Sequence, residues 1–228
     1  MAAAKTGVIL LGGVNMTQRH LGKIASALYP SLCVHSRPHS VVQLVNVRYS
    51  FPKREDELRR SLDAFPDGCV VHSVSGSAYF VTAALSKWKD ERVRGIILDS
   101  VPQVRLEASL LRLLGMPAPL VKPAAALTRA VLVSPLFEAT LEYTDRYSAI
   151  TRDPGQLGAP RVLYAHSEED EVVPAQQFQD FWGQVKKDQV NVECYLGKGK
   201  HAAMARDDVG FRARVQEFLA SAGLANGM

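Results

Sequence analysis

Six short apolar runs punctuate the chain, and stretches with helical spacing separate most of them. The runs fall at residues 7–13, 31–34, 69–74, 93–98, 161–166 and 190–196. Between them, residues 18–29 place Leu21, Ile24, Ala25 and Leu28 at i, i+3, i+4 and i+7, the stripe of an amphipathic helix. Residues 54–65, 76–88, 174–187 and 211–220 also read as helices. Apolar runs that are continuous rather than alternating belong to strands buried on both faces. Their alternation with helices therefore predicts a mostly parallel six-stranded sheet with helices on both faces, an α/β fold. One stretch breaks the alternation. Residues 104–155 are mostly helical in character and interrupted by Pro117, Pro119, Pro123 and Pro135. They read as a helical lid inserted over one end of the sheet, within a single domain spanning 1–228.

Composition closes off several alternatives. Apolar residues make up 47% of the 228, and 27 Lys+Arg stand against 23 Asp+Glu for a net charge of +4. A disordered chain needs low hydrophobicity and high net charge. A surplus this small, without a long basic run, gives no reason to expect a nucleic-acid partner. A membrane span needs about 20 largely apolar residues; the best stretch, 106–137, is broken by Arg112, Lys122 and Arg129 as well as by prolines. Cys33, Cys69 and Cys194 are odd in number and lie in or at expected strands. They read as buried, reduced thiols of a cytoplasmic protein. No His or Cys spacing suits a metal, and the Gly12-Gly13 doublet lacks the rest of a phosphate-binding loop. No cofactor is expected.

The most informative segment is Cys69-Val-Val-His-Ser-Val-Ser75-Gly-Ser. A strand runs into a helix with no intervening loop, and Ser75 stands at the junction. A serine at such a turn is held above the strand ends with its hydroxyl exposed for attack. The turn needs small residues two positions to either side, here Ser73 and Ser77. The following N–H, that of Gly76, then faces the developing oxyanion. Ser75 could instead be an ordinary helix N-cap.

A serine nucleophile needs a base, and the base an orienting carboxylate. Both belong at the C-terminal ends of later strands, which share one rim. The run at 161–166 is followed by Ser167-Glu168-Glu169-Asp170-Glu171-Val172-Val173-Pro174. Asp170 has the register of the acid, with Glu168, Glu169 and Glu171 as competitors. The last run ends in Gly197-Lys198-Gly199-Lys200-His201, so His201 is the candidate base. His72 reads as a satisfied core histidine, and His166 as structural with an accessory role open. The loop after the first strand should supply a second oxyanion donor, the N–H of Val14 or alternatively Gly13. The order Ser75, Asp170, His201 is that of α/β-hydrolases.

These residues resemble the α/β-hydrolase superfamily and, more narrowly, the transmembrane protein 53 family. That family's elbow, His-x-Phe-Ser-Asn-Gly-Gly, is similar to His72-Ser73-Val74-Ser75-Gly76-Ser77-Ala78, with the serine kept. Its Asp-Ser-Ala-Pro resembles Asp99-Ser100-Val101-Pro102, and its closing His motif resembles His201-Ala-Ala-Met204-Ala-Arg206. The resemblance implies a hydrolase fold and supplies no substrate. The residues together lead to a serine hydrolase acting on a small-molecule ester or thioester. Leu110, Leu111, Leu113, Leu114, Met116 and Leu120 would form either an apolar wall for an acyl group or, equally, the ordinary packing of the lid. The alternative is a non-catalytic binding or scaffold protein on the same fold.

Overall fold

The computed structural model describes residues 6–14, 16–39, 47–101, 146–188 and 190–224, with isolated positions between 116 and 127. Six strands alternate with helices: β1 (Gly7–Val14), α1 (Gln18–Leu28), β2 (Val34–His39), α2 (Val47–Asp63), β3 (Cys69–Val74), α3 (Ala78–Trp88), β4 (Val93–Asp99), β5 (Arg161–Ser167), α4 (Ala175–Trp182), β6 (Asn191–Gly197), α5 (Met204–Asp207) and α6 (Val209–Ser221). The sheet order is β2-β1-β3-β4-β5-β6, and every pairing is parallel. All six strands therefore point their C-terminal ends at one rim.

Strand alternation divides the core in two. Ile9 and Leu11 of β1 face one side, against Leu58, Leu62, Phe80 and Phe181 of α2, α3 and α4. Val8 and Leu10 face the other, against Leu21, Leu28, Phe211 and Val215 of α1 and α6. Each such side chain contributes roughly 1.5–3 kcal/mol when buried. The burial of β3 on both faces explains its unbroken apolar character. Thr17 caps the start of α1: its hydroxyl accepts from His20 N–H while His20 Nδ1 accepts from Thr17 N–H at 3.1 Å.

Several sequence expectations need correction. The second strand was expected at 31–34 but runs Val34–His39. It is an edge strand, so it needs less apolar sequence and tolerates Pro38. Cys33 accordingly precedes a strand and is exposed, while Cys69 is buried and Cys194 half-buried; all three are free. Burial pushes the Cys69 thiol up to about 12. The second helix starts at Val47 rather than 54 and carries Pro52 inside it. The helix expected over 174–187 spans only Ala175–Trp182 and ends at Gly183. α5 was not anticipated.

Of the expected lid, residues 146–152 are helical and Pro154–Leu157 forms a 3₁₀ turn. Leu120 is exposed. Leu110, Leu111, Leu113 and Leu114 lie outside the described residues. No described helix is long and apolar enough to cross a membrane.

Candidate active site

Ser75 opens a single 3₁₀ turn, Ser75–Ser77, between β3 and α3. Its φ is +53°, a left-handed conformation rare for a residue with a side chain and often found at functional positions. The flanking serines meet: Ser73 Oγ and Ser77 Oγ are 2.7 Å apart, and Ser77 Oγ donates to the carbonyls of Val74 and Leu11 at 2.9 and 3.0 Å. Their hydroxyls tie β1, β3 and the turn together. Ser75 is not a helix cap, since Ser77 occupies that position before α3.

Ser75 Oγ lies 2.8 Å from His201 Nε2, and His201 Nδ1 lies 2.8 Å from Asp170 Oδ2. The carboxylate can only accept, so Nδ1 donates and Nε2 keeps a lone pair for the serine hydroxyl. Asp170 is buried, and its other oxygen accepts the N–H groups of Val172 and Val173 at 2.9 and 2.8 Å. Those two bonds fix the plane of the carboxylate. Among the competitors, Glu169 turns away and accepts Gly199 N–H at 3.1 Å. Ser167 Oγ donates to Gly199 carbonyl and accepts Glu169 N–H. The loops after β5 and β6 are thus joined to each other.

Two further residues support this arrangement. His166, stacked on Phe178, bonds through Nε2 to Val173 carbonyl at 2.8 Å. Burial holds its imidazole below the usual range against the opposing pull of Asp170, so the ring is neutral with its proton on Nε2. It secures Val173, which in turn secures Asp170. Ser100 Oγ donates to buried Asp99 Oδ1 at 2.8 Å and accepts Ala202 N–H at 3.2 Å. Ala202, directly after His201, has φ +56°. Sequence reasoning assigned Ser100 no role, although its place just after β4, on the same rim, was a usable signal. His72 is buried and bonded through Nδ1 to Tyr29 hydroxyl at 2.6 Å. Among the described residues its Nε2 has no hydrogen-bond partner; it faces Asp99 Oδ2 at 3.5 Å, so the ring is only half satisfied there.

Gly76 is buried in the 3₁₀ turn. Gly13 is buried at the end of β1, where its N–H meets Met16 Sδ at 3.1 Å. Val14 ends the same strand. Beside Ser75 and His201 lies a cavity of about 390 Å³, also lined by Gly13, Met16, Ile24 and Ala202. That size suits a small ligand. Among the described residues, no group of three or more His, Cys, Asp or Glu is placed to hold a metal ion.

No protein-family model matches the sequence, and no curated protein matches it. Solved structures do. Esterase Pf2001 of Pyrococcus furiosus is 19% identical, with 96% of this chain and 84% of that one covered and a TM-score of 0.61. A monoacylglycerol lipase of Paleococcus ferrophilus is 13% identical, with 94% of each chain covered and a TM-score of 0.59. The thioesterase domain of the curacin biosynthetic pathway is 13% identical, with 94% and 92% covered and a TM-score of 0.58. The fold is that of the α/β-hydrolases.

Proposed function

We propose that this chain is a serine hydrolase acting on a carboxylic ester or thioester. The observation that carries the reading is the continuous pair of hydrogen bonds from Asp170 through His201 to Ser75, both 2.8 Å. In the proposed cycle Ser75 Oγ attacks the carbonyl carbon and passes its proton to His201 Nε2. Asp170 holds the ring in the tautomer that can accept it and stabilises the cation formed. The N–H groups of Gly76 and Val14 hold the oxyanion. Val14 is preferred over Gly13 because Gly13 N–H is turned to Met16 Sδ. His201 then returns the proton to the departing alcohol or thiol. Water repeats the sequence and releases the acid.

The apolar share of the cavity wall, Met16 and Ile24, favours an acyl group. The solved relatives include an esterase, a lipase and a thioesterase, and they support this range of substrates. Within the superfamily, the resemblance to the transmembrane protein 53 family is proposed on the motif residues alone. A cytoplasmic setting is proposed on three free cysteines, as expected in a reducing compartment. The test is a fluorophosphonate probe, which reacts with an activated serine. Labelling should map to Ser75 and vanish in Ser75→Ala. A folded wild-type protein that does not label would overturn the reading and favour a binding protein.

A further inference from the structure

The cavity beside Ser75 continues past the reacting atoms. Lys23 and Arg206 border both the cavity and a groove that extends from it, and Arg19 and Arg212 border the groove farther on. Its remaining described lining is small: Gly22, Ser26, Ala27 and Ala205. Neither lining includes a carboxylate among the described residues. Four of the chain's 27 Lys+Arg border this one groove. Asp207 accepts from both Nε and Nη2 of Arg206, the latter at 2.7 Å, and offsets that charge, leaving Lys23, Arg19 and Arg212 as the cations without a carboxylate in the described lining. Arg212 is held in place by bonds from Nη1 to Arg206 carbonyl at 2.8 Å and Ala205 carbonyl at 3.3 Å.

The direction of the groove identifies which part of a substrate it receives. On its histidine side the cavity is lined by His201 and by Ala202, Ala203, Ala205 and Arg206, which follow it, and Ala205 and Arg206 also border the groove. His201 must deliver a proton to the leaving group, so that group lies on the histidine side. A guanidinium can satisfy a carboxylate's two oxygens alone, whereas several cations bordering one groove, from α1, α5 and α6, suit the three oxygens of a phosphate.

We infer that the substrate is an acyl ester or thioester whose leaving alcohol or thiol carries a phosphate, seated on Lys23, Arg206 and Arg212; this rests on the serine-hydrolase reading above. The chemistry balances without a co-reactant other than water. The carbonyl carbon bonds to Ser75 Oγ as its bond to the leaving oxygen or sulfur breaks, and His201 supplies the leaving group's proton. Water then cleaves the acyl-serine. One ester and one water give one carboxylic acid and one phosphate-bearing alcohol or thiol.

Two matched pairs test the inference and separate the sources of phosphate. Butyryl-coenzyme A is compared with the butyryl thioester of N-acetylcysteamine, and 1-butyrylglycerol 3-phosphate with 1-butyrylglycerol. For at least one pair, kcat/KM should favour the phosphate-bearing member at least tenfold in 50 mM salt, a preference that shrinks in 500 mM salt because exposed charges are screened. The double variant Lys23→Glu/Arg212→Glu should bring that ratio near one, while Lys87→Gln, in α3, should leave it unchanged. Equal rates within both pairs would overturn the inference. Binding decides independently of turnover. Ser75→Ala protein should bind coenzyme A or glycerol 3-phosphate at least tenfold more tightly than pantetheine or glycerol by calorimetry. Equal or undetectable binding would overturn the phosphate assignment even in a protein that labels at Ser75. Failure to label with fluorophosphonate would instead remove the hydrolase reading.

Discussion

Gly13 and Ser75 approach each other so closely that no side chain fits between them. A Cβ on Gly13 would stand 2.6 Å from Ser75 Cβ, 3.1 Å from Val74 carbonyl and 3.3 Å from Ser75 Oγ. The glycine is required here for space: β1 and the serine turn can only coexist at this separation if one of them lacks a side chain.

Gly13→Ala should therefore displace the serine or the loop after β1. Overpacking of this kind costs about 1–3 kcal/mol, so the protein should remain folded. Esterase activity should fall by roughly a hundredfold, as expected for a misplacement on the order of 1 Å at a reacting group. Paired measurements of thermal unfolding and of kcat/KM on p-nitrophenyl butyrate check this. Undiminished activity would show that the end of β1 does not constrain the nucleophile.

Asp170→Asn should lower kcat steeply, by up to about 10⁴-fold. The amide can still accept from Val172 and Val173, but its NH₂ would face His201 Nδ1 and force the wrong tautomer. Glu169→Gln should be nearly neutral, because an amide oxygen can still accept Gly199 N–H. Single-turnover rates on both variants distinguish them, and a reversal of the two outcomes would move the acid to Glu169.

Ser100→Ala removes the hydroxyl between Asp99 and Ala202 N–H. It touches no substrate in the proposed mechanism and acts through the position of His201. The expected result is a kcat lower by roughly ten- to a hundredfold with KM within a factor of two. A rise in KM with kcat unchanged would contradict a positioning role.

His166 makes stability depend on pH. Its folded pKa lies below the ordinary imidazole value because of burial, while the unfolded chain titrates near ~6.5. As pH falls below that value the unfolded chain gains a proton that the folded chain resists, so stability present above it is lost toward acid. His166→Gln retains a donor for Val173 carbonyl and removes the titration. Its Tm should fall less than that of the wild type between pH 7 and 5. Parallel losses in scanning calorimetry would show that His166 is not responsible.

The legible parts of the structure are those where chemistry demands a specific local pattern. β3 could be read because burial on both faces requires a continuous apolar run. The places of Ser75, Asp170 and His201 after β3, β5 and β6 could be read because each follows such a run. β2 was displaced because an edge strand such as Val34–His39 contains His35, Arg37 and Pro38, which no apolar criterion selects. The start of α2 was hidden by Pro52, which ordinarily interrupts a helix. Ser100 and His166 bond to residues 102 and 7 positions away; for the first, only its place just after β4 was legible. The groove cations come from α1, α5 and α6, and only the packing of those helices brings them to one groove.

The strand order carries a consequence for how this molecule can vary. β3 and β6 are separated by three inter-strand gaps, roughly 14 Å at the usual spacing, yet His201 Nε2 stands 2.8 Å from Ser75 Oγ. The segment after β6 must double back over the sheet, and it does so through Gly199 at φ +112° and Ala202 at φ +56°. Surface connections are ordinarily where chains accept inserted or deleted residues. Between Gly197 and Met204 the length is set instead by the width of the sheet beneath it, so this short surface segment should tolerate changes of residue far better than changes of length.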